Sequence, residues 1–322
     1  MEAPHSPRVA VPLTAWFTRP MDPTSSGAGR PARTALRILW LSALAGVFFI
    51  SSAAASEGRL QLTYRVYFGG VHAANLGFVV NFDAATHDVD AAAHDLDTTA
   101  YAVRASLKTT GALKALTRFK TTAYSHGTLL SGDVMPVRAG YRSKRWRKKR
   151  LVELGFDDGT PTLVRMKPPR KSKVSLSLLK GALDPAGALL ALLSRFDAGE
   201  GCRLRIPVYD GRRLYDLVGE KDGDGRVKAG RYSPFAGPTV NCRMWIEKKA
   251  GFKREPRGGP NRGDREVLLR MARVFDEMPR VPVRLASDTR YGSVKAYLFR
   301  AKLDAAGLKR ELSPRPGKKR RR

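Results

Sequence analysis

The stretch Arg59-Leu60-Gln61-Leu62-Thr63-Tyr64-Arg65-Val66-Tyr67-Phe68-Gly69-Gly70 decides the fold. Leu60, Leu62, Tyr64, Val66 and Phe68 fall on one face of an extended chain, and Arg59, Gln61, Thr63, Arg65 and Tyr67 on the other. That period of two is what a strand with one buried and one wetted face requires. Gly69-Gly70 turns the chain, and Leu76, Phe78, Val80 and Phe82 repeat the pattern, so the two runs read as a hairpin.

The same alternation predicts strands at 88–95, 99–108, 120–130, 134–143, 145–156 and 161–167, the last two joined through Asp157-Asp158-Gly159. Leu204, Ile206 and Val208 lead into a tight turn at Asp210-Gly211, after which residues 214–218 return. Runs at 240–246, 267–275, 281–285 and 294–298 complete the series, although Val267, Leu268, Met271 and Phe275 also fit a helical period. Two short helices are expected, one basic at 111–119 and one after Asp184-Pro185, where the aspartate can cap free N–H groups and proline suits the first turn. The second is apolar nearly all round and should be buried or lie across the mouth of a sheet. Residues 222–238 and 249–264, rich in Gly, Asp, Pro and Arg, read as loops. The expected fold is mainly β: an antiparallel curved sheet or partly open barrel with one or two short helices packed on it. Residues 56–302 form a single large domain in this reading, and 303–322 a basic disordered tail.

The chain has 322 residues, with 59 Lys and Arg against 29 Asp and Glu and a net charge of +30. Its 43% hydrophobic content against 27% charged argues for a folded core rather than disorder. Arg30, Arg33 and Arg37 precede an apolar run from Ile38 to Ile50, which ends in small residues around Ala55. This is the layout of a secretory signal with cleavage after Ala55. A membrane anchor would need about 18–20 apolar residues. The 1–55 segment is therefore read as an N-terminal extension plus signal peptide, with Met21 as an alternative start. No adjacent arginine pair opens it, which favours the general secretory route. The expected location is the periplasm, with no transmembrane span after cleavage. Removal leaves 267 residues carrying +27. In an oxidising compartment, Cys202 and Cys242 are expected to form a disulfide, with two buried thiols as the alternative.

Several segments resemble a known family. They are Cys202; Pro207-Val208-Tyr209-Asp210-Gly211-Arg212-Arg213-Leu214-Tyr215-Asp216-Leu217; Tyr232-Ser233-Pro234-Phe235-Ala236-Gly237-Pro238-Thr239-Val240-Asn241-Cys242; and Ala250-Gly251-Phe252-Lys253. Tyr64-Arg65-Val66-Tyr67-Phe68-Gly69-Gly70, Asp184-Pro185 and Pro282-Val283-Arg284-Leu285 add to the match. Together they resemble the alphaproteobacterial branch of the exported bacterial domain-of-unknown-function family 3108. The resemblance implies a periplasmic, mostly β domain without an established activity.

Catalytic signatures are absent: the sequence holds no Gly-x-Ser-x-Gly elbow, zinc-helix, phosphate-loop or dinucleotide motif. In the histidine and acid cluster that opens at His87, Asp88, Asp90 and His94 would share one face of a strand and could hold a metal, but they read more simply as a solvated polar face, so neither a metal nor a cofactor is expected. Asp222-Gly223-Asp224-Gly225 opens like a calcium loop, yet Arg226 and Val227 stand where a third ligand and a turn glycine belong. Asp210, Asp216 and Asp288 could supply paired carboxylates if the fold brought them together.

The basic segments are more informative. Residues 142–150 hold seven positive charges in nine positions, interrupted by Trp146, and 142–173 carry a net +9. Such clustering is repulsive, and bound anions would relieve it. The candidate anion-binding residues are Arg142, Lys144, Arg145, Trp146, Arg147, Lys148, Lys149, Arg150, Arg170 and Lys171; a solvated strand end is the plainer alternative. Expected partners are anionic lipid, lipopolysaccharide or cell-wall polymer. Nucleic acid is not expected on the far side of a membrane. The function favoured is a non-enzymatic binding or envelope-maintenance role with an anionic or amphiphilic ligand. A carboxylate-dependent glycan hydrolase and a structural protein of an envelope complex are the alternatives.

Overall fold

Alternation carries through fourteen strands that pair into one antiparallel sheet in a computed structural model, which describes residues 58–83, 98–169, 174–196, 201–252, 266–289, 292–305 and 307–314. The opening hairpin pairs β1 (Gly58–Phe68) with β2 (Val71–Asp83). Then come β3 (Thr98–Thr109), helix α1 (Gly111–Thr117), β4 (Phe119–Leu130), β5 (Asp133–Arg145), β6 (Lys148–Asp157) and β7 (Thr160–Lys167). Helix α2 (Pro185–Arg195) precedes β8 (Leu204–Tyr209), β9 (Leu214–Val227), β10 (Gly237–Ala250), β11 (Val267–Ala272), β12 (Val281–Thr289), β13 (Gly292–Ala305) and β14 (Leu308–Leu312). The strand order is β7-β6-β5-β4-β3-β2-β1-β13-β12-β11-β10-β9-β8, with β14 added on β13.

Twisted strands in this number curl on themselves. The two edges, β7 and β8, are joined by the chain between β7 and α2. Leu183 N–H donates to the Pro207 carbonyl and the Leu183 carbonyl accepts from Tyr209 N–H, each at 2.8 Å, while Gly181 N–H donates to the Gly159 carbonyl at 2.9 Å. Beneath this seam Val152, Leu154, Leu179, Ala182, Tyr209 and Leu214 form a second apolar cluster. Gly211 lets the β8–β9 turn close over β6, since a Cβ there would sit 2.5 Å from a Val152 methyl. The result is a nearly closed barrel.

Helix α2 fills the interior. Leu190, Ala191, Leu192 and Leu193 pack with Leu62, Val80, Ile206, Met271 and Leu298 in the main core, which explains a helix apolar on nearly every side. Its N-terminus is held by Asp184, a buried side chain whose Oδ1 accepts from Ala186 N–H at 2.8 Å and Gly187 N–H at 3.0 Å. The other oxygen accepts from Ser125 Oγ at 2.7 Å, and Ser125 in turn meets Tyr101 OH at 3.1 Å. Burial raises the Asp184 carboxyl above its usual range, and the Ser125, Gly187 and Ala186 donors offset this only in part. A raised carboxyl binds its proton more tightly in the folded chain than in the unfolded one. Asp184 therefore adds stability as pH falls through its folded pKa toward the ordinary carboxylate value, and loses that contribution as pH rises through the folded pKa. Asp184→Asn keeps the cap acceptor and is expected to flatten this pH dependence. Asp184→Ala removes the cap and the charged acceptor of the Ser125 hydroxyl, leaving Ser125 with Tyr101 alone, at a cost of about 2–4 kcal/mol. Urea denaturation at acidic and neutral pH measures both.

Three sequence expectations are corrected. Residues 222–227 are not loop but the outer half of β9, paired from Gly225↔Thr239 to Val227↔Gly237 with β10. Ion pairs Lys221–Asp224 (2.9 Å) and Arg243–Asp222 (3.3 Å) occupy the acids that resembled a calcium loop. The segment 303–312 is not tail: Leu303 and Ala305 are buried at the end of β13, and β14 returns along it, with Lys302 and Arg300 paired to Glu311. Strand β6 begins at Lys148, because Trp146-Arg147 forms the turn and Trp146 adopts a positive φ of 56°. The ambiguous 267–275 stretch is strand as far as Ala272.

Cys202 and Cys242 form a disulfide with Cα atoms 5.4 Å apart. It ties the chain before β8 to β10 across β9. The backbone at Cys202 passes close over β9 at Gly219, which is opposite Met244, and a Cβ there would lie 2.6 Å from the Cys202 carbonyl oxygen.

Candidate anion-binding site

Strand pairing lays four lysines in a row. Lys108 on β3 is opposite Lys120 on β4, Lys120 is opposite Lys144 on β5, and Lys144 is opposite Lys149 on β6. Their neighbours along each strand fix the direction. Tyr101, Val103, Ser125, Ala139, Val152 and Leu154 are buried on the inner face, so the alternate positions face outward. With strands about 4.8 Å apart, the row spans about 14 Å. Directly opposed like charges destabilise a sheet by about 0.2–1 kcal/mol per pair, and this row contains three successive pairs.

Two open clefts of about 660 and 640 Å³ flank the row and share Lys120, Lys144 and Lys149. The first is completed by Lys108, Lys114, Arg118, Trp146 and Arg147, the second by Arg104, Arg142, Arg150, Arg165 and Lys167. No acidic residue lines either among the described residues. Glu153 reaches this surface from below, 3.8 Å from Arg142 and 3.9 Å from Arg165, so these two arginines are partly neutralised and the lysine row is not.

Local structure holds the walls. Trp146 N–H donates to the Arg118 carbonyl at 3.1 Å, and the Arg118 guanidinium lies 5.7 Å over the Trp146 ring. The β5–β6 turn and the α1–β4 junction thus form one rim. Thr110 N–H donates to the Ala73 carbonyl at 2.8 Å, which anchors α1 to β2.

Of the residues expected at an anion site, Arg142, Lys144, Trp146, Arg147, Lys149 and Arg150 line the clefts. Arg145 and Lys148 are exposed and paired with each other across the turn, and line neither cleft. Arg170 and Lys171 lie outside the described residues, as do His87, Asp88, Asp90 and His94. The contribution of β3, α1 and β4 is the part not foreseen. Lys108 and Lys120 meet Lys144 only through register, which a connection containing a helix hides from the sequence.

The candidate carboxylates do not converge. Asp210 closes the β8–β9 turn, accepting from Arg212 N–H at 2.9 Å and Arg213 N–H at 2.8 Å. Asp216 is opposite Glu247, but Arg205 bridges the two at 2.5 and 2.6 Å and Lys249 adds a contact to Asp216 at 3.1 Å. The Arg205 hydrogen bond holds the Glu247 carboxyl below its usual range. Asp288 is on β12, three strands from β9 or about 14 Å, beyond the carboxyl spacing of glycosidases. Among the described residues no group of three or more His, Cys, Asp or Glu could hold a metal ion.

The interior offers little room. An apolar cleft of about 80 Å³ remains between α2 and the sheet, lined by Leu62, Tyr64, Leu76, Phe78, Leu189 and Leu285 among others. Ordinary ligand pockets run to about 300–1,000 Å³. No helix among the described residues is long and apolar enough to cross a membrane.

The family model of DUF3108, described as a protein of unknown function, matches residues 63–298. Among solved structures, the chain is similar to the crystal structure of a β-barrel-like protein of the domain of unknown function DUF1849 from Brucella abortus. The likeness has a TM-score of 0.42 and 11% identity, covering 79% of this chain and 99% of the other. No curated protein matches the chain.

Proposed function

Because the chain belongs to the DUF3108 family of proteins of unknown function, its role has to be read from its own surface, and we propose that it is an exported, non-enzymatic protein of the cell envelope that holds an anionic ligand on the lysine row. The row itself carries the reading. Four opposed lysines, with no acidic residue lining the clefts among the described residues, are a standing electrostatic cost, and phosphate or carboxylate groups placed along them would turn that cost into attraction. The leader-like segment before residue 56 and the Cys202–Cys242 disulfide support an oxidising compartment outside the cytoplasm. Since α2 occupies the barrel and leaves about 80 Å³, an amphiphile would be held by its charged groups on the outer face rather than swallowed by its chain.

Isothermal titration of the full chain with inorganic polyphosphate tests this. Binding at low salt that weakens steeply as salt is added is expected. An absence of binding at low salt would reject the reading.

A further inference from the structure

We propose that the barrel end bearing the lysine row docks on the surface of an anionic lipid bilayer, with exposed apolar side chains on adjacent turns entering the headgroup region. The proposal rests on the reading of the row as an anion site and assigns its ligand. In an antiparallel sheet the β1–β2 turn, the β3–α1–β4 connection and the β5–β6 turn all fall at one end. Each presents an apolar side chain to solvent. Val71 is 61% exposed beside the first turn, Leu116 of α1 75%, and Trp146 in the third turn 46%. Helix α1 buries none of its own residues, although it is anchored to β2 through Thr110. A short helix held in place with its leucine outward has no use for that leucine inside this chain.

Charge and shape select the occupant. The three apolar tips are interleaved with Lys114, Arg118, Lys144 and Arg147, so any surface they meet must be negatively charged. They are spread along about four strand spacings of rim, or about 19 Å. A protein partner would favour one contiguous apolar patch with a depleted charge at its centre. A soluble polyanion would contact the lysines and gain nothing from the tips. A bilayer surface satisfies both. It is flat over this distance, tryptophan is favoured at the headgroup level, and lysine stems lie along apolar material while their ammonium groups reach phosphate.

Hydrogen exchange on the full chain, with and without vesicles of about one-third phosphatidylglycerol in phosphatidylcholine, locates the contact. Slowed exchange is expected at residues 68–71, 111–118 and 145–148. Protection confined to residues 38–50 would overturn the proposal, because it would mark the apolar leader as the only contact. The variant Val71→Ser/Leu116→Ser leaves the lysine row untouched. It is expected to weaken vesicle binding at least ten-fold while leaving polyphosphate binding and the thermal midpoint unchanged; unaltered vesicle affinity would overturn docking. If wild type binds polyphosphate but not these vesicles, the docking proposal fails and the anion site stands. If it binds neither, both fall.

Discussion

Replacing Lys120 and Lys144 by glutamine is expected to weaken polyphosphate binding about thirty-fold, at about 1 kcal/mol per lysine, and at the same time to make the free protein more stable. The two residues are the middle of the row, so their loss removes all three opposed pairs, Lys108↔Lys120, Lys120↔Lys144 and Lys144↔Lys149. At low salt that should raise stability by about 1 kcal/mol, or about 2–4 °C in thermal midpoint for a domain of this size. The gain should fade as salt screens the repulsion. Opposite signs for binding and stability distinguish a ligand site from a merely solvated strand end. If the row served only solubility, the variant would gain stability without losing affinity. If the lysines supported the fold, it would lose both.

Removing the disulfide is expected to have the largest effect on stability. Cys202→Ala/Cys242→Ala opens a loop of 40 residues, worth about 4 kcal/mol in the chain-entropy model and on the order of 10 °C in thermal midpoint. Since the bond ties β10 to the chain entering β8, the loss should appear first around β8 and β9, which form the edge beside the seam. Hydrogen exchange after mild reduction would show it: exchange should rise over residues 204–218 before residues 58–82. A uniform rise would instead mean that the seam and the opening hairpin unfold as one unit.

Much of the sheet was legible because each strand has a buried and a wetted side. Leu60, Leu62 and Tyr64 announce β1 without help from any partner, and Asp184-Pro185 announces α2 by the chemistry of a helix start. What stayed hidden depended on distant parts of the chain. Residues 222–227 read as loop because Gly223 and Gly225 weaken a strand signal, yet β10 pairs with them across the long hairpin. The end of β13 and β14 were masked by the charges that flank them, although Leu308 and Leu312 are partly buried. The anion site was half visible. Residues 142–150 stand out as a run of charge, whereas Lys108 and Lys120 are single lysines in ordinary strands. Their meaning comes from register around α1, and two residues of slip would have scattered the row.

Acetylation footprinting of lysines, read residue by residue by mass spectrometry with and without polyphosphate, tests most directly whether this row is the anion site. Lys108, Lys120, Lys144 and Lys149 should be protected together at low salt. Lys309, which is 80% exposed and lies on β14, should stay reactive. Protection of Lys309 or Lys295 with the row left as reactive as before would contradict the account.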